Sequence, residues 1–191
     1  MIIGFIGSMR SGKTLLMTAH AYDLYKQGYK VISNYGVSFK HKPLSVKDIE
    51  ESIKDKDTDY FENTVVLLDE VGVYIDSRTS ATRRNRLYSY FLTQSGKLST
   101  TIFWTSQYFG QIDKRLRQNT QIVYSCQRTD YKGTPLRQDD KRKDFRITAD
   151  KMVQREMYDR VAFVQESTLT IDNPKVFFRL FDTKERVYYD E

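Results

Sequence analysis

Residues 7–14, Gly7-Ser8-Met9-Arg10-Ser11-Gly12-Lys13-Thr14, fit G-x-x-x-x-G-K-[ST] at every fixed position and follow directly on the apolar run Ile2-Ile3-Gly4-Phe5-Ile6. The run predicts a buried strand, and Leu15-Leu16-Met17-Thr18-Ala19-His20-Ala21-Tyr22 predicts a helix, so the loop sits where strand passes into helix. That context decides what the loop can do. Successive backbone N–H groups turn inward around an anion, and the helix N-terminus adds a positive field where the negative charge lies. The whole loop 7–14 is therefore expected to cradle the phosphates of ATP. Lys13 reaches the β- and γ-phosphate oxygens, and the Thr14 hydroxyl ligates Mg²⁺. A glycine-serine turn that merely carries a lysine does not account for strand and helix both being in register.

A second segment strengthens the first. Val65-Val66-Leu67-Leu68 is an apolar strand ending in Asp69-Glu70. A carboxylate at the C-terminal end of a parallel strand faces the ligand crevice, where Asp69 can hold Mg²⁺ through its water shell. Glu70 can then polarise the attacking water, a task distinct from holding the metal, and this favours hydrolysis over mere binding. Taken alone, the segment reads equally well as a strand followed by a solvated acidic turn.

At 191 residues the chain suits one domain, with a core over 1–127 and an antiparallel extension over 128–191. Hydrophobic residues at 39% and aromatics at 14% supply a core, yet no apolar run approaches the roughly 20 residues of a membrane helix. The chain is thus not expected to span a membrane. Its start enters the first strand without a basic leader. Cys126, the single cysteine, reads as a buried strand residue in a reducing compartment and carries no chemistry.

The formal charge of +6 favours a polyanionic partner. Residues 77–86 hold Arg78, Arg83, Arg84 and Arg86 with no acid, and Tyr88 and Tyr90 follow. Arginine beside tyrosine suits phosphate contact and stacking, which makes these four arginines nucleic-acid candidates. A second basic cluster over 128–146 is diluted by Asp130, Asp139, Asp140 and Asp144. Both runs also suit plain solvated surface.

Strands and helices alternate through the first two thirds of the chain. Tyr29–Asn34 predicts the second strand, and Ser45 caps a helix with apolar residues at Val46, Ile49 and Ile53. Tyr88–Leu98 predicts a helix, Thr100–Gln107 a strand with a polar end, Ile112–Gln118 a short helical turn, and Thr120–Cys126 another strand. Beyond residue 132 come short strand candidates at 145–148, 160–164 and 176–181. The expected fold is α/β, a mostly parallel central sheet flanked by helices with antiparallel additions near the C-terminus.

Gly7–Thr14, Val31–Asn34, Leu67–Glu70, Trp104–Gln107 and Ile112–Asn119 together resemble the FtsK–HerA superfamily of P-loop ATPases. Within it the chain resembles the Zot-like proteins of filamentous phages and the small genome-packaging ATPases of viruses. The resemblance covers residues 1–127. It implies that Gln107 senses the γ-phosphate, and that subunits form a ring, usually a hexamer, with an arginine donated in trans. Arg115 and Arg117 are the first candidates for that arginine, with Arg83 and Arg84 next. Zot-like proteins typically continue into a membrane-spanning segment and a further domain, so the size of this chain points instead to a stand-alone packaging motor.

Three functions follow as expectations. The first is an ATP-hydrolysing motor that moves double-stranded DNA into a viral capsid, acting in the cytoplasm of the infected host or on the virion, with a capsid or membrane-associated portal component as partner. The second is a Zot-like morphogenesis or export ATPase acting on protein. The third is a small-molecule P-loop kinase, with the 78–86 stretch as its lid.

Overall fold

In the computed structural model, β1 (Ile2–Ile6) lies mid-sheet, because a run that is apolar at nearly every position can be buried on both faces. The structure describes residues 1–45, 47, 49–51, 61–73, 91, 99–142, 144–157 and 160–182. After β1 come α1 (Lys13–Lys26), β2 (Lys30–Ser33), the two-residue β3 (Lys42–Pro43) and β4 (Thr64–Leu68). Then follow β5 (Thr101–Ser106), α2 (Lys114–Asn119), β6 (Ile122–Thr129), β7 (Arg146–Met157) and β8 (Arg160–Ile171). Among these residues the strands form one sheet in the order β3-β2-β4-β5-β1-β6-β7-β8. Pairing is parallel from β3 to β6, and β7 and β8 add antiparallel. The expected fold class is the one observed.

Period-two alternation distributes the strand residues between two cores. Ile3, Phe5, Val65, Leu67 and Phe103 pack against Leu16, Met17 and Ala21 of α1. Ile2, Val66, Leu68, Ile102 and Trp104 pack on the other face with Ile49, Phe91, Ile112 and Leu116 of α2. Each buried side chain of this size contributes about 1.5–3 kcal/mol. Gln27 and Gly28 close α1 by donating to the Leu24 and Tyr25 carbonyls, as the Gln-Gly pair predicts. The Ser45 cap is also present, its hydroxyl accepting the Lys47 N–H at 3.1 Å.

Two expectations are corrected. Residues 176–181 form no strand; they lie in a 3-10 helix, Pro174–Leu180, followed by Phe181 in a single antiparallel bridge to Val37. Pro174 presets a helical φ and lacks an N–H, so a turn starts where the apolar run alone suggests a strand. The short strands at 145–148 and 160–164 are parts of two 12-residue strands, β7 and β8. Polar runs hide their length, 154–156 in β7 and 165–168 in β8, where consecutive residues 164–170 are all exposed. The expected helix at 88–98, Phe91 apart, and the arginine-tyrosine stretch lie outside the described residues.

Gly4 is a matter of space. It pairs with Trp104 across β1 and β5, and a Cβ there would stand 2.3 Å from the indole Cζ2. The indole is fully buried, and its Nε1 donates to Thr120 Oγ1 at 3.2 Å. Gly4→Ala is therefore expected to destabilise the chain by about 1–3 kcal/mol, although alanine is usually the better strand residue. Urea unfolding of the two forms checks this, and equal midpoints would contradict the packing described.

Candidate nucleotide-binding site

The end of β1, between β5 and β6, is where the connections leave for opposite faces of the sheet, and such a point opens a crevice beyond the strand ends. The loop 7–14 fills it and runs into α1. Gly12 caps α1 with φ +96 and no side-chain cap, and no acid stands in the first turn. The first N–H groups of the helix and their positive field are thus left for an anion. Gly12 is doubly constrained, because besides its left-handed φ, a Cβ there would lie 2.3 Å from Ile147 Cδ1 of β7. Lys13 is 8% exposed, and its Nζ donates to the Ser8 carbonyl at 2.8 Å. Burial lowers its pKa, and the charge of Asp69 opposes that shift.

Asp69, one residue beyond β4, is held by four hydrogen bonds from three residues. Thr14 Oγ1 donates to its Oδ1 at 2.9 Å and Thr105 Oγ1 to the same oxygen at 2.6 Å. The Asn34 side chain grips its backbone, accepting the Asp69 N–H at 2.8 Å and donating to the Asp69 carbonyl at 2.9 Å. Thr105 Oγ1 also accepts the Glu70 N–H at 2.8 Å, and Glu70 adopts φ +51. Burial raises the pKa of the Asp69 carboxyl, and the hydrogen bonds from Thr105 and Thr14 and the charge of Lys13 pull it back down. Thr18 Oγ1 donates to the Thr14 carbonyl and meets the Tyr35 hydroxyl, both at 2.6 Å, which ties α1 to the end of β2.

This donor set fits Mg²⁺. A hydroxyl and a carboxylate, both hard oxygen ligands, stand in contact beside a lysine on the wall of a cavity of about 520 Å³. Among the described residues no group of three or more His, Cys, Asp or Glu could hold a metal alone. Mg²⁺ does not need one, since it keeps several waters and takes one or two protein ligands with substrate phosphates.

The predicted residues divide as follows. Arg10, Gly12, Lys13, Thr14 and Asp69 line the cavity. Ser8, Met9 and Ser11 line a smaller one of about 170 Å³ behind the loop, shared with Arg10, and Gly7 joins the loop to β1. Glu70 is exposed at the turn after Asp69 and does not line the main cavity. Gln107 is half-buried just past β5 and does not line it either. Arg115 is engaged by Asp113, the N-cap of α2, through Nε to Oδ1 at 3.0 Å and Nη2 to Oδ2 at 3.1 Å. This pairing holds the Asp113 carboxyl below its usual range. Arg117 lies 6.0 Å over the Phe109 ring, with its Nε buried and unpartnered. Arg78, Arg83, Arg84 and Arg86 lie outside the described residues. Burial pushes the Cys126 thiol up to about 12, in keeping with an inert cysteine.

Sequence reasoning missed Tyr35, Phe145, Phe178 and Phe181, which line the main cavity together with Arg128, Lys141 and Arg142 of the second basic cluster. Phe178 and Phe181 fall in the aromatic run 176–181, which on its own predicts a strand and not a site wall. No helix among the described residues is long and apolar enough to cross a membrane.

The chain has relatives in sequence family and in fold. The family described as Zonular occludens toxin (Zot) matches residues 1–184. No curated protein sequence matches the chain. Among solved structures, the chain is similar to the N-terminal domain of zonular occludens toxin from Neisseria meningitidis, at 17% identity over 95% of this chain and 98% of that one, with a TM-score of 0.58. It is also similar to the flagellar accessory protein FlaH from Methanocaldococcus jannaschii, at 13% identity over 86% of this chain and 89% of that one, with a TM-score of 0.52. The genome packaging NTPase B204 from Sulfolobus turreted icosahedral virus 2, in complex with AMPPCP, aligns at 14% identity over 65% of this chain and 73% of that one, with a TM-score of 0.49. Likeness at these identities concerns the fold alone, whereas the family match covers nearly the whole chain, and the chain belongs to the Zot family.

Proposed function

We propose that the chain binds ATP with Mg²⁺, hydrolyses it, and uses turnover to drive double-stranded DNA into a viral capsid. The observation that carries the nucleotide half is the convergence of Lys13, Thr14 and Asp69 on one cavity beside an uncapped helix N-terminus. Glu70 polarises the attacking water from the turn after Asp69. Gln107 senses the γ-phosphate from the end of β5, a strand that Thr105 already fastens to both acids. The net charge of +6 and the arginine run at 78–86 support DNA as the polymer moved. Subunits work as a ring of six with an arginine acting in trans. Arg117 suits that part better than Arg115, which must first leave Asp113. The motor acts in the host cytoplasm or on the virion, against a capsid or membrane-associated portal component.

A second reading is favoured by family membership itself, namely a Zot-like morphogenesis ATPase that acts on coat protein. ATP hydrolysis measured with and without double-stranded DNA across a salt series separates the two. The motor predicts stimulation that fades as salt rises, because phosphate contacts weaken by counterion release. Hydrolysis indifferent to DNA supports the protein-handling reading, and phosphate transfer to a small acceptor overturns both.

The assignment of Glu70 has its own check. Glu70→Gln is expected to lower kcat by about 10²–10⁴-fold with ATP affinity unchanged, as removal of a general base does. A variant that loses ATP binding as well would mark Glu70 as structural.

A further inference from the structure

At about 520 Å³ the cavity is larger than a phosphate cradle needs, and its wall includes side chains of a different chemistry. Lys13, Thr14 and Asp69 supply its polar wall. Leu15, Phe145, Ile147, Phe178 and Phe181 add apolar side chains to the wall, beside the charged Asp140, Lys141, Arg142 and Asp182. Ile147 packs directly on the Gly12 Cα. Phe145 comes from the residue before β7, Phe178 from the 3-10 helix Pro174–Leu180, and Phe181 from the residue beyond it. The Arg128 guanidinium, which also lines the cavity, lies 4.4 Å from the Phe145 ring centroid, and Phe178 is 41% exposed. An aromatic ring left open beside a phosphate site leaves room for another flat ring.

We propose that the C-terminal extension forms the base pocket of the nucleotide site, in which Phe178 and Phe145 hold a purine base by stacking. The inference rests on the proposal that loop 7–14 binds the triphosphate, and it assigns the extension to ligand recognition as well as to the sheet edge. Stacking is available to every base and strongest for the large purine face, so affinity comes from ring area and the pocket ranks purine above pyrimidine nucleotides. Two distant segments, 145–147 and 178–181, must both be in place to form it. The bridge from Phe181 to Val37 and the Leu180 carbonyl that accepts the Ser38 N–H at 2.8 Å hold the second of them against the β2 side.

Calorimetric titration of the whole chain with Mg-ATP and, separately, with Mg-tripolyphosphate tests the pocket, since tripolyphosphate presents the phosphates without a base. Phe178→Ala is expected to weaken ATP binding roughly 5- to 100-fold, the range of one lost stacking partner, and to leave tripolyphosphate binding unchanged. Phe178→Trp is expected to restore ATP affinity. Phe178 is exposed, so these replacements leave the core intact. Equal weakening of both ligands, or unchanged ATP affinity, overturns the base pocket and leaves the phosphate site standing. A wild-type chain that binds neither ligand overturns both.

Discussion

Asp69 Oδ1 accepts two hydroxyl hydrogen bonds, one from the helix that follows β1 and one from β5. The rest of the site depends on this arrangement. Thr14 fixes the distance between loop and carboxylate, so the two residues that would hold Mg²⁺ are already placed together. Thr105 uses the same hydroxyl to accept the Glu70 N–H, so the end of β5 and the turn that carries the proposed base move together. Asn34 extends the β2–β4 ladder past its last strand pair by matching the Asp69 backbone with its side-chain amide. Three strands and one helix are thus gathered on one residue. A buried carboxylate is costly unless satisfied, and here hydroxyls and a lysine share that cost.

What was legible in the sequence was local. Gly7–Thr14 and Asp69–Glu70 could be read because each is a contiguous run whose residue types have few other uses at a strand end. The parallel sheet followed from apolar runs alternating with helical ones, and Ser45 and Gln27-Gly28 marked helix ends by their own chemistry. What failed to show was assembled from separate segments. Thr105 was visible only as a polar strand end, since its partners lie 35 and 36 residues away in sequence. The aromatic wall draws on 145–147 and 178–181, and no spacing rule connects them. The run 176–181 also misled, because its period is hidden by apolar residues at successive positions and Pro174 decides the conformation instead.

The same distinction bears on the arginines. A basic residue near a predicted turn carries no information about what it faces. Arg115 and Arg117, two residues apart on α2, differ in availability, one clamped to a buried carboxylate that also caps the helix, the other resting on an aromatic ring. The extension beyond residue 128 has a similar double character. It adds strands β7 and β8 to the sheet edge, and it brings Ile147 against Gly12 so that the loop and the extension share a wall.

The most direct test of this account is the dependence of ATP affinity on Mg²⁺ in the wild-type chain and in Asp69→Asn, followed by calorimetry. If Thr14 and Asp69 form the metal side of the site, Mg²⁺ tightens ATP binding in the wild type, and the amide, which keeps the shape and loses the charge, removes most of that gain. The same Mg²⁺ enhancement in both proteins would mean that Asp69 is a structural carboxylate, and that the metal, if it takes part, is held elsewhere.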